Sequence, residues 1–304
     1  MPDIFELLKC PTCGGPLERD GGSLICRGGA KTHTFDIARQ GYVNMLPPGR
    51  GRNAKSGDDA EMVRSRSAFL SLGYYDRISD TVADLILEYH PTEETGGIIK
   101  IADSGCGEGY HTCRFVKRIS ETGMTPVCCA AFDASKNAAA HAAKSAAEQA
   151  LAPKNGIGAP FEGSSLISFM TGNIFYLPLK DKSVGAVVSM FAPIAGDENF
   201  RILTHGGITV VAASGEDHLI EMREMIYPNV IKKPSVPKAG DGFYQADCKK
   251  LKYKIKLESN SSIMNLFGMT PFYYKTPPNA VKILEKTDLL ELTVDTDLYV
   301  FIKK

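Results

Sequence analysis

The amino-acid sequence predicts an α/β fold, a doubly wound parallel sheet preceded by a small cysteine-rich segment, and three observations support this prediction. Short runs that are almost continuously apolar recur between residues 98 and 213. Stretches with helical spacing of apolar residues alternate with these runs. Parallel strands are apolar along their length because helices cover both faces of their sheet. The first 46 residues differ, since they lack helical periodicity and carry metal-ligand spacing.

Length and composition place the chain among globular proteins of at most two or three domains. It has 304 residues, 43% of them hydrophobic and 23% charged, which excludes disorder as its main property. Its 35 basic and 35 acidic residues give a net charge of zero, which excludes a polycationic nucleic-acid binder. The longest apolar stretch, Val184–Gly196, is shorter than the roughly 18 residues of a membrane span. The first eight residues lack the basic start of a secretory signal, so we expect a reducing, cytoplasmic setting without membrane association.

Each predicted element has its own signal. Asp58 and Asp59 are candidate caps for a helix that begins near Ala60. The predicted apolar side of that helix is Met62, Ala68, Phe69 and Leu72. Further helices are predicted over Tyr75–Tyr89, Tyr110–Ile119 and Ser135–Leu151. The predicted strands are Ile98–Asp103, Pro126–Phe132, Leu166–Thr171, Val184–Met190, Ile208–Ala213, Lys249–Leu257 and Leu298–Ile302, the last of which could close the sheet.

Three cysteines and a histidine near the N-terminus form the ligand set of a closed tetrahedral zinc site: Cys10, Cys13, Cys26 and His33. Cys10 and Cys13 can hold one metal from a single turn, and the twelve residues before Cys26 leave room for a hairpin. A segment of roughly 40 residues buries little core, so a metal gives it a reason to fold. The alternatives are unconnected buried thiols or a redox pair, for which no strand–helix context is present.

The segment Asp103–Gly109 reads Asp-Ser-Gly-Cys-Gly-Glu-Gly and follows a predicted strand. Gly105, Gly107 and Gly109 allow a tight turn and a close approach of a ligand to the backbone. Such a loop is ambiguous between a dinucleotide and S-adenosylmethionine. The acid that opens it, Asp103, suits a ligand with a cationic amino group rather than a pyrophosphate. A structural turn without a cofactor is the remaining alternative.

Two further residues extend this cofactor prediction. Asp133 ends the next strand, where a carboxylate can accept hydrogen bonds from both hydroxyls of a ribose. Asn173 follows the third strand and is placed to meet an adenine edge. Asp103, Asp133 and Asn173 together favour S-adenosylmethionine.

Short motifs follow one another in a fixed order along nearly the whole chain. They are Cys10-Pro11-x-Cys13, His33-Thr34-Phe35-Asp36, Gly41-Tyr42-Val43-Asn44-x-Leu46-Pro47, Gly57-Asp58-x-Ala60-Glu61-Met62, Arg66-x-Ala68-Phe69-Leu70, the loop from Asp103 to Tyr110, Asp133-x-Ser135-Lys136, Ala192-Pro193, His218-Leu219-x-Glu221 and Met269-Thr270-Pro271-Phe272. This ordered set resembles the RlmA family, bacterial methyltransferases of large-subunit ribosomal RNA that act on guanine N1.

The resemblance implies a Rossmann-like, seven-stranded S-adenosylmethionine domain and a zinc-binding domain that helps grip a hairpin of 23S rRNA. It implies zinc ligands at Cys10, Cys13, Cys26 and His33, cofactor contacts from Tyr75, Gly107, Glu108 and His218, and a homodimer. We therefore expect a zinc-ribbon-like RNA-recognition domain over residues 1–46, a linker with helices over 47–90, and the methyltransferase domain over 91–304. Methyl transfer from S-adenosylmethionine to guanine N1 is the implied activity.

The chain departs from the family pattern at a few positions. Six residues separate Cys26 from His33 where the family usually has three. Ser104 replaces an aliphatic residue, Gly185 stands where an aspartate is common, and Ile194 stands where a cysteine is often found.

Two stretches are locally basic despite the neutral total. Residues 27–55 contain six basic residues and one acid, and residues 227–257 contain eight lysines and two acids. We expect the first, which includes Tyr42, to offer phosphate contacts and a stacking surface to RNA. The alternative is that these side chains only solvate a linker and a strand face, and a flat response of RNA binding to salt would favour it.

The catalytic residues stay unassigned at this point. Guanine N1 carries a proton, and Glu108, His218 and Glu221 are candidates to take it. By resemblance, the target base docks near Ala192-Pro193. Two other functions are open: a methyltransferase of small molecules, and a non-catalytic RNA-binding protein of ribosome assembly.

Overall fold

The protein's structure, a computed structural model, describes residues 4–46, 59–152, 166–232 and 236–304. The strands are β1 (Glu18–Asp20), β2 (Ser23–Cys26), β3 (His33–Asp36), β4 (Val43–Asn44), β5 (Ile99–Ser104), β6 (Val127–Asp133), β7 (Ile167–Thr171), β8 (Val184–Met190), β9 (Leu203–Ser214), β10 (Phe243–Leu257) and β11 (Leu290–Lys303). The helices are α1 (Ala60–Leu70), α2 (Asp76–Tyr89), α3 (Tyr110–Glu121), α4 (Lys136–Glu148), α5 (Gly196–Ile202), α6 (Ile220–Ile226), α7 (Asn260–Gly268) and α8 (Pro278–Leu284). Ile4–Leu7 and Glu93–Thr95 are short 3-10 helices.

The central sheet has eight strands in the order β10-β11-β9-β8-β5-β6-β7-β4. Neighbours from β9 to β4 are parallel, while β11 runs antiparallel to both β9 and β10. The predicted α/β fold with a doubly wound sheet is therefore confirmed. β5 to β11 supply the seven expected strands, and β4, from the N-terminal segment, adds an eighth.

The strands at the β10 edge differ most from the prediction. β10 begins at Phe243 and β11 at Leu290, well before the predicted strand starts. Charged and polar residues alternate with apolar ones in these extensions, so a search for apolar runs misses them. β11 also lies between β10 and β9 rather than at the edge of the sheet.

Helix α1 begins as predicted but turns a different side to the core. The side chain of Asp59 caps it by accepting hydrogen bonds from the amides of Glu61 and Met62, both at 2.9 Å. The other candidate cap, Asp58, lies outside the described residues. Of the predicted apolar side, Ala68 and Leu72 are exposed. The buried residues are Met62, Val63, Phe69 and Leu70. Leu72 follows the cap that ends the helix, so helical spacing does not apply to it.

The two faces of the sheet are covered by different parts of the chain. In β5, Ile101 packs into the apolar core beneath the helices, while the next residue, Ala102, faces the other side. A doubly wound sheet usually has helices on that second face too. Here the connection from β7 to β8 (residues 172–183) forms no helix, and the N-terminal segment takes that place. Its side chains Leu8, Leu24 and Phe35 belong to one apolar cluster with the sheet.

Backbone hydrogen bonds fix the N-terminal segment to the sheet. The amide of Lys9 donates to Pro178 at 2.9 Å, and the amide of Lys180 donates to Leu7 at 2.8 Å. Strand β4 pairs with β7. The division into domains at residues 46 and 90 stays a prediction, but the segment and the sheet share an apolar core.

The glycine at position 185, one of the departures from the family pattern, has a structural reason. A Cβ at Gly185 would lie 2.2 Å from Nε2 of His90. That imidazole is buried, and its Nε2 accepts a hydrogen bond from the Lys100 amide at 3.3 Å. Burial lowers the pKa of His90 to about 4, so the ring is neutral. The neutral ring occupies the space that a larger residue at 185 would take.

Among the described residues, no helix is both long and apolar enough to cross a membrane.

Candidate active site and metal centre

A cavity of about 1,010 Å³ opens at the carboxyl ends of β5 to β9. Ligands of doubly wound sheets bind at this edge, where the strand order reverses. The predicted cofactor residues that line it are Tyr75, Asp103, Gly105, Gly107, Glu108, Asp133, Asn173 and His218. Gly109 is absent from the lining residues.

The glycines of the loop serve two different purposes. All three have positive φ angles, +93° at Gly105, +56° at Gly107 and +83° at Gly109, which favour glycine. A Cβ at Gly109 would lie 2.7 Å from the Cβ of Ala142 in α4. Gly109 therefore lets α3 and α4 pack closely, whereas Gly105 and Gly107 form the cavity wall.

Asp103 presents an unsatisfied oxygen in a buried position. Its Oδ2 accepts a hydrogen bond from Thr112 Oγ1 at 2.5 Å. In the described part of the chain, no donor reaches its Oδ1. Burial raises the pKa of Asp103 to about 7, and the charges of Asp133 and Glu108 add to this effect. A cationic amino group at Oδ1 would satisfy the oxygen and stabilise its charge, so the site fits the amino end of S-adenosylmethionine.

Asp133 joins the ends of two strands. Its Oδ2 accepts from the Gly107 amide at 3.0 Å, and its Oδ1 accepts from the Ser135 amide at 2.7 Å. Asp133 also lines the cavity, where a carboxylate can accept hydrogen bonds from ribose hydroxyls.

Asn173 lies in the turn that follows β7. Its side-chain oxygen accepts a hydrogen bond from the amide of Phe175 at 3.0 Å. This contact fixes the orientation of the side chain and leaves its NH₂ group as the part that can donate to a ligand.

Tyr75 and His218 form a buried pair on the opposite wall. His218 Nδ1 lies 2.9 Å from the Asp295 carbonyl, and the Asp295 amide is farther away at 3.3 Å. Since a carbonyl only accepts, Nδ1 carries the proton and Nε2 accepts from the Tyr75 hydroxyl at 3.2 Å. Burial lowers the pKa of His218 to about 4 and raises that of Tyr75. His218 is thus a neutral ring whose lone pair is already used.

Glu221, another candidate base, lies away from the cavity. Its two carboxylate oxygens accept from the Thr293 hydroxyl at 2.6 Å and the Thr293 amide at 2.8 Å. Burial acts to raise its pKa, but hydrogen bonds from Lys254 and Thr293 outweigh it and lower the pKa to about 2. Glu221 links α6 to the sheet and is not among the described residues that line the cavity.

The cavity also contains residues that the spacing arguments did not identify: Arg66, His111, Phe191, Arg223 and the turn from Met269 to Phe272. Arg66 and this turn occur in the ordered motifs, and that occurrence is the sequence feature that could have identified them as site residues. His111 Nδ1 lies 2.7 Å from Ser79 Oγ, and burial lowers the pKa of His111 to about 3. Nothing in the local sequence distinguishes His111 or Phe191 from ordinary core residues.

Phe191 stands at the boundary between two cavities. A second cavity of about 390 Å³ shares Phe191, Ala192, Pro193 and Ser214 with the first. The backbone of Phe191 has a φ of +53°, which is unusual outside glycine, and its ring is 41% exposed. The ring centre lies 5.9 Å from that of His218 and 6.3 Å from that of Tyr75. Such strain in a partly exposed aromatic residue is typical of functional sites.

The four predicted metal ligands converge on one point. The candidate ligand atoms of Cys10, Cys13, Cys26 and His33 all lie within 4.8 Å of one another. Cys13 and Cys26 sulfurs are 3.4 Å apart, and His33 Nδ1 is 3.5 Å from the Cys10 sulfur. A tetrahedral zinc with Zn–S of about 2.3 Å separates its ligand atoms by roughly 3.5–3.8 Å, so the cluster fits this ion.

The local fold explains how the six-residue gap before His33 is accommodated. β2 and β3 form a hairpin in which Cys26 and His33 are direct cross-strand partners, and residues 27–32 form its loop. On the other side, the Gly14 amide donates to the Cys10 carbonyl at 2.8 Å and closes the first turn. A Cβ at Gly15 would lie 3.1 Å from the Cys26 sulfur, so glycine permits the close approach.

The second basic stretch is largely neutralised by acids from other elements. On β10, Lys252 pairs with Asp217 at 2.5 Å and Lys256 pairs with Glu258 at 2.7 Å. Lys254 pairs with Glu221 and Lys249 with Glu88. In the first stretch, Arg27 pairs with Glu18 and Asp20, while Lys31 and Arg39 are exposed. Arg50, Arg52, Lys55 and Lys233 lie outside the described residues.

The strand order, with antiparallel β11 between β9 and β10, and the loop flanked by Asp103 and Asp133 define a methyltransferase that depends on S-adenosylmethionine. Residues 8–52 match the family model described as "RlmA, N-terminal", a zinc ribbon. A Streptomyces fradiae protein named "23S rRNA (guanine(748)-N(1))-methyltransferase" is 30% identical over 72% of this chain and 68% of its own length. The chain belongs to the RlmA family.

Two further similarities were found. A Bacillus subtilis protein named "Putative 23S rRNA (guanine-N(1)-)-methyltransferase YxjB" is 27% identical over 98% of both chains. Among solved structures, the YcgJ protein from Bacillus subtilis is 15% identical, covers 75% of this chain and 99% of its own, and has a TM-score of 0.46.

Proposed function

We propose that this protein transfers a methyl group from S-adenosylmethionine to N1 of a guanine in a hairpin of 23S rRNA. The observation that carries this proposal is the match, at 30% identity and over two thirds of each chain, to a relative named for that reaction. The cavity at the carboxyl ends of the strands supports it, because the predicted cofactor residues meet there.

When bound, S-adenosylmethionine supplies an electrophilic methyl group on a sulfonium. We assign its amino group to Asp103, whose buried Oδ1 has no donor in the described part of the chain. Asp133 would accept from the ribose hydroxyls, and the NH₂ group of Asn173 would donate to the adenine edge. Tyr75 and His218, joined by a hydrogen bond, form the wall that excludes water from the far side.

The target guanine needs a place beside the cofactor cavity, out of its base stack. The second cavity, of about 390 Å³, adjoins the first, since both are lined by Phe191, Ala192 and Pro193. We assign the guanine to it, with the Phe191 ring as the stacking surface. The chain's contribution to catalysis is then mainly alignment of N1 with the methyl group. We do not propose His218 as the base, because its Nε2 lone pair accepts from Tyr75, nor Glu221, because it is not among the described residues that line the cavity, and no catalytic base is assigned.

The N-terminal segment would bind zinc through Cys10, Cys13, Cys26 and His33 and help grip the RNA. Its exposed Lys31 and Arg39 can contact phosphates. The ion-paired lysines of β10 contribute little by this argument. We also propose a cytoplasmic homodimer, whose mass light scattering on the purified protein can measure.

Methyl transfer to synthetic RNA tests this function. A transcript of the relevant 23S rRNA hairpins is incubated with the protein and methyl-labelled S-adenosylmethionine, and the labelled nucleotide is identified by mass spectrometry after nuclease digestion. We expect 1-methylguanosine, and loss of it with Asp133→Ala. Label on a metabolite but not on RNA would support a small-molecule methyltransferase. RNA binding without transfer would support a non-catalytic protein.

A further inference from the structure

The cavity is lined by four basic side chains, and they differ in charge and in what they contact. These are Arg66, His111, His218 and Arg223. His111 and His218 are neutral near pH 7, because burial lowers the pKa of the first to about 3 and of the second to about 4. The cavity therefore has two permanent cations, both arginines.

Arg223 is engaged with the protein backbone. Its Nη1 donates to the carbonyl of Glu216 at 2.9 Å, and its Nη2 donates to the carbonyl of Ile231 at 2.7 Å. These bonds tie the guanidinium to the segment around α6. A ligand would have to displace them before it could use this arginine.

Arg66 projects from α1 onto the glycine-rich loop. Its Nη1 lies 3.4 Å from the position that a Cβ at Gly107 would occupy. The same nitrogen is 3.6 Å from Oε2 of Glu108, which is 4% exposed. The guanidinium therefore lies over the loop that begins at Asp103, and both residues line the same cavity.

The amino-acid end of S-adenosylmethionine is a zwitterion, with an ammonium and a carboxylate on one carbon atom. Asp103 can pair with the ammonium but not with the carboxylate. A carboxylate that binds in this cavity needs a cationic partner, because burying it unpaired is costly. Arginine suits this role since its planar fork can donate two parallel hydrogen bonds to a carboxylate.

We propose that Arg66 binds the α-carboxylate of the cofactor, so that Asp103 and Arg66 together select the complete amino-acid end of S-adenosylmethionine. This inference rests on the proposed function. The guanidinium of Arg66 has five N–H donors, so it can bond to the ligand and to Glu108 at the same time. Glu108 then balances the charge of Arg66 when the cofactor leaves.

Calorimetric titration of the purified full-length protein with two ligands tests the role of Arg66. S-adenosylhomocysteine carries the amino-acid end, and 5′-methylthioadenosine lacks it. We expect Arg66→Met to weaken S-adenosylhomocysteine at least about tenfold while the affinity for 5′-methylthioadenosine stays within about twofold. Arg66→Lys should recover part of the loss. Arg64→Met, at an exposed position of the same helix, is the matched control and should change neither affinity.

Three results would overturn the proposal. Equal weakening of both ligands by Arg66→Met would mean that Arg66 supports the loop as a whole. Unchanged affinity for both ligands with weaker binding of the RNA hairpin would make Arg66 a phosphate contact. If the wild-type protein bound neither ligand, the proposed function itself would fail. Circular dichroism of each variant separates these results from loss of the fold.

Discussion

At the scale of single residues, the site depends on a carboxylate that the fold makes hard to ionise. Asp103 is fully buried, lines the cavity, and has one oxygen bonded to Thr112, while no donor in the described part of the chain reaches the other. Its pKa is raised to about 7, which means that the charged carboxylate is destabilised in the folded protein unless a cation binds beside it. Cofactor binding should therefore be linked to release of a proton from this group.

The affinity for S-adenosylhomocysteine should rise as the pH increases from about 5.5 to about 7.5. Below a pKa near 7 Asp103 is protonated and cannot pair with the ammonium, so affinity can fall by up to about tenfold per pH unit. The α-amino group of the ligand stays protonated in this range, because the adjacent carboxylate raises its pKa above that of a polypeptide N-terminus. Calorimetry across the range measures this. Asp103→Asn should give weak binding without the slope, and a flat wild-type profile would contradict our account.

The sign for stability is the opposite. A carboxyl whose folded pKa lies above its unfolded value contributes stability that is present at low pH and is lost as the pH rises through the folded value. For Asp103 this loss extends up to about pH 7 in the cofactor-free protein. Cofactor binding should offset it.

Gly185 and His90 form a pair in which one residue makes room for the other. Gly185→Ala should destabilise the protein by about 2–3 kcal/mol, because the new Cβ would overlap the imidazole. In a His90→Ala background the same change should cost much less. Urea unfolding of the wild type, the two single variants and the double variant measures the coupling free energy between the two positions. Additive effects would show that the two positions do not interact.

The residues whose role depends on one local pattern could be predicted from the sequence. Cys10, Cys13 and Asp103 belong to this group, because turn chemistry and strand ends place them. Arg66 and Phe191 could not be predicted in their present roles. Both residues line the cavity only because the fold brings α1 and the end of β8 to it, and no local pattern encodes that placement.

At the scale of elements, the N-terminal zinc-ribbon segment also covers part of one face of the sheet. Because the connection from β7 to β8 forms no helix, Leu8, Leu24 and Phe35 of the N-terminal segment pack against the strands in its place. The N-terminal segment is therefore a structural part of the sheet's cover.

Removal of zinc should weaken the methyltransferase sheet as well as the ribbon. Chelation of the metal should lower the melting temperature of the whole chain by at least about 3 °C, which for a chain of this length corresponds to roughly 2 kcal/mol of shared stability. Hydrogen exchange at the amides of β6 should also become faster, since this strand loses its packing against the N-terminal segment. Re-addition of zinc is the control. Faster exchange confined to residues 8–46 would contradict the shared core.

The lysines of β10 illustrate why a charged stretch in a sequence is not yet a binding surface. The double variant Lys252→Gln/Lys254→Gln should leave the affinity for the RNA hairpin within about twofold, because acids from α6 and its preceding turn already offset both charges. Lys31→Gln/Arg39→Gln should weaken binding about tenfold and reduce its salt dependence. Filter binding at several salt concentrations measures both. The reverse ranking would contradict our interpretation.

The prediction of elements succeeded where strands are buried on both faces. β5, β6, β7 and β8 have continuous apolar runs, and their bounds were predicted within a residue or two. β10 and β11 were predicted too short because polar residues alternate along them. β4 has two residues and pairs only through tertiary contact, so no local signal could reveal it.

At the scale of the whole molecule, the chain places a cofactor cavity, a smaller cavity and a metal ribbon around one edge and one face of a sheet. The zero net charge gave no indication of an RNA substrate. The ordered motifs and the named relatives indicate the RNA substrate. The cavity explains how the chemistry can be carried out. Under the proposed function, specificity for one guanine would depend on which nucleotide the N-terminal segment brings to Phe191.

Primer extension on 23S rRNA from cells with and without this protein tests the central claim most directly. A methyl group at guanine N1 blocks Watson–Crick pairing, so reverse transcriptase stops beside the modified base. We predict one strong stop at a hairpin guanine in cells that contain the protein, its loss on deletion, and its return with the wild-type chain but not with Asp133→Ala. Identical patterns in all four strains would contradict the claim that this protein methylates 23S rRNA at guanine N1.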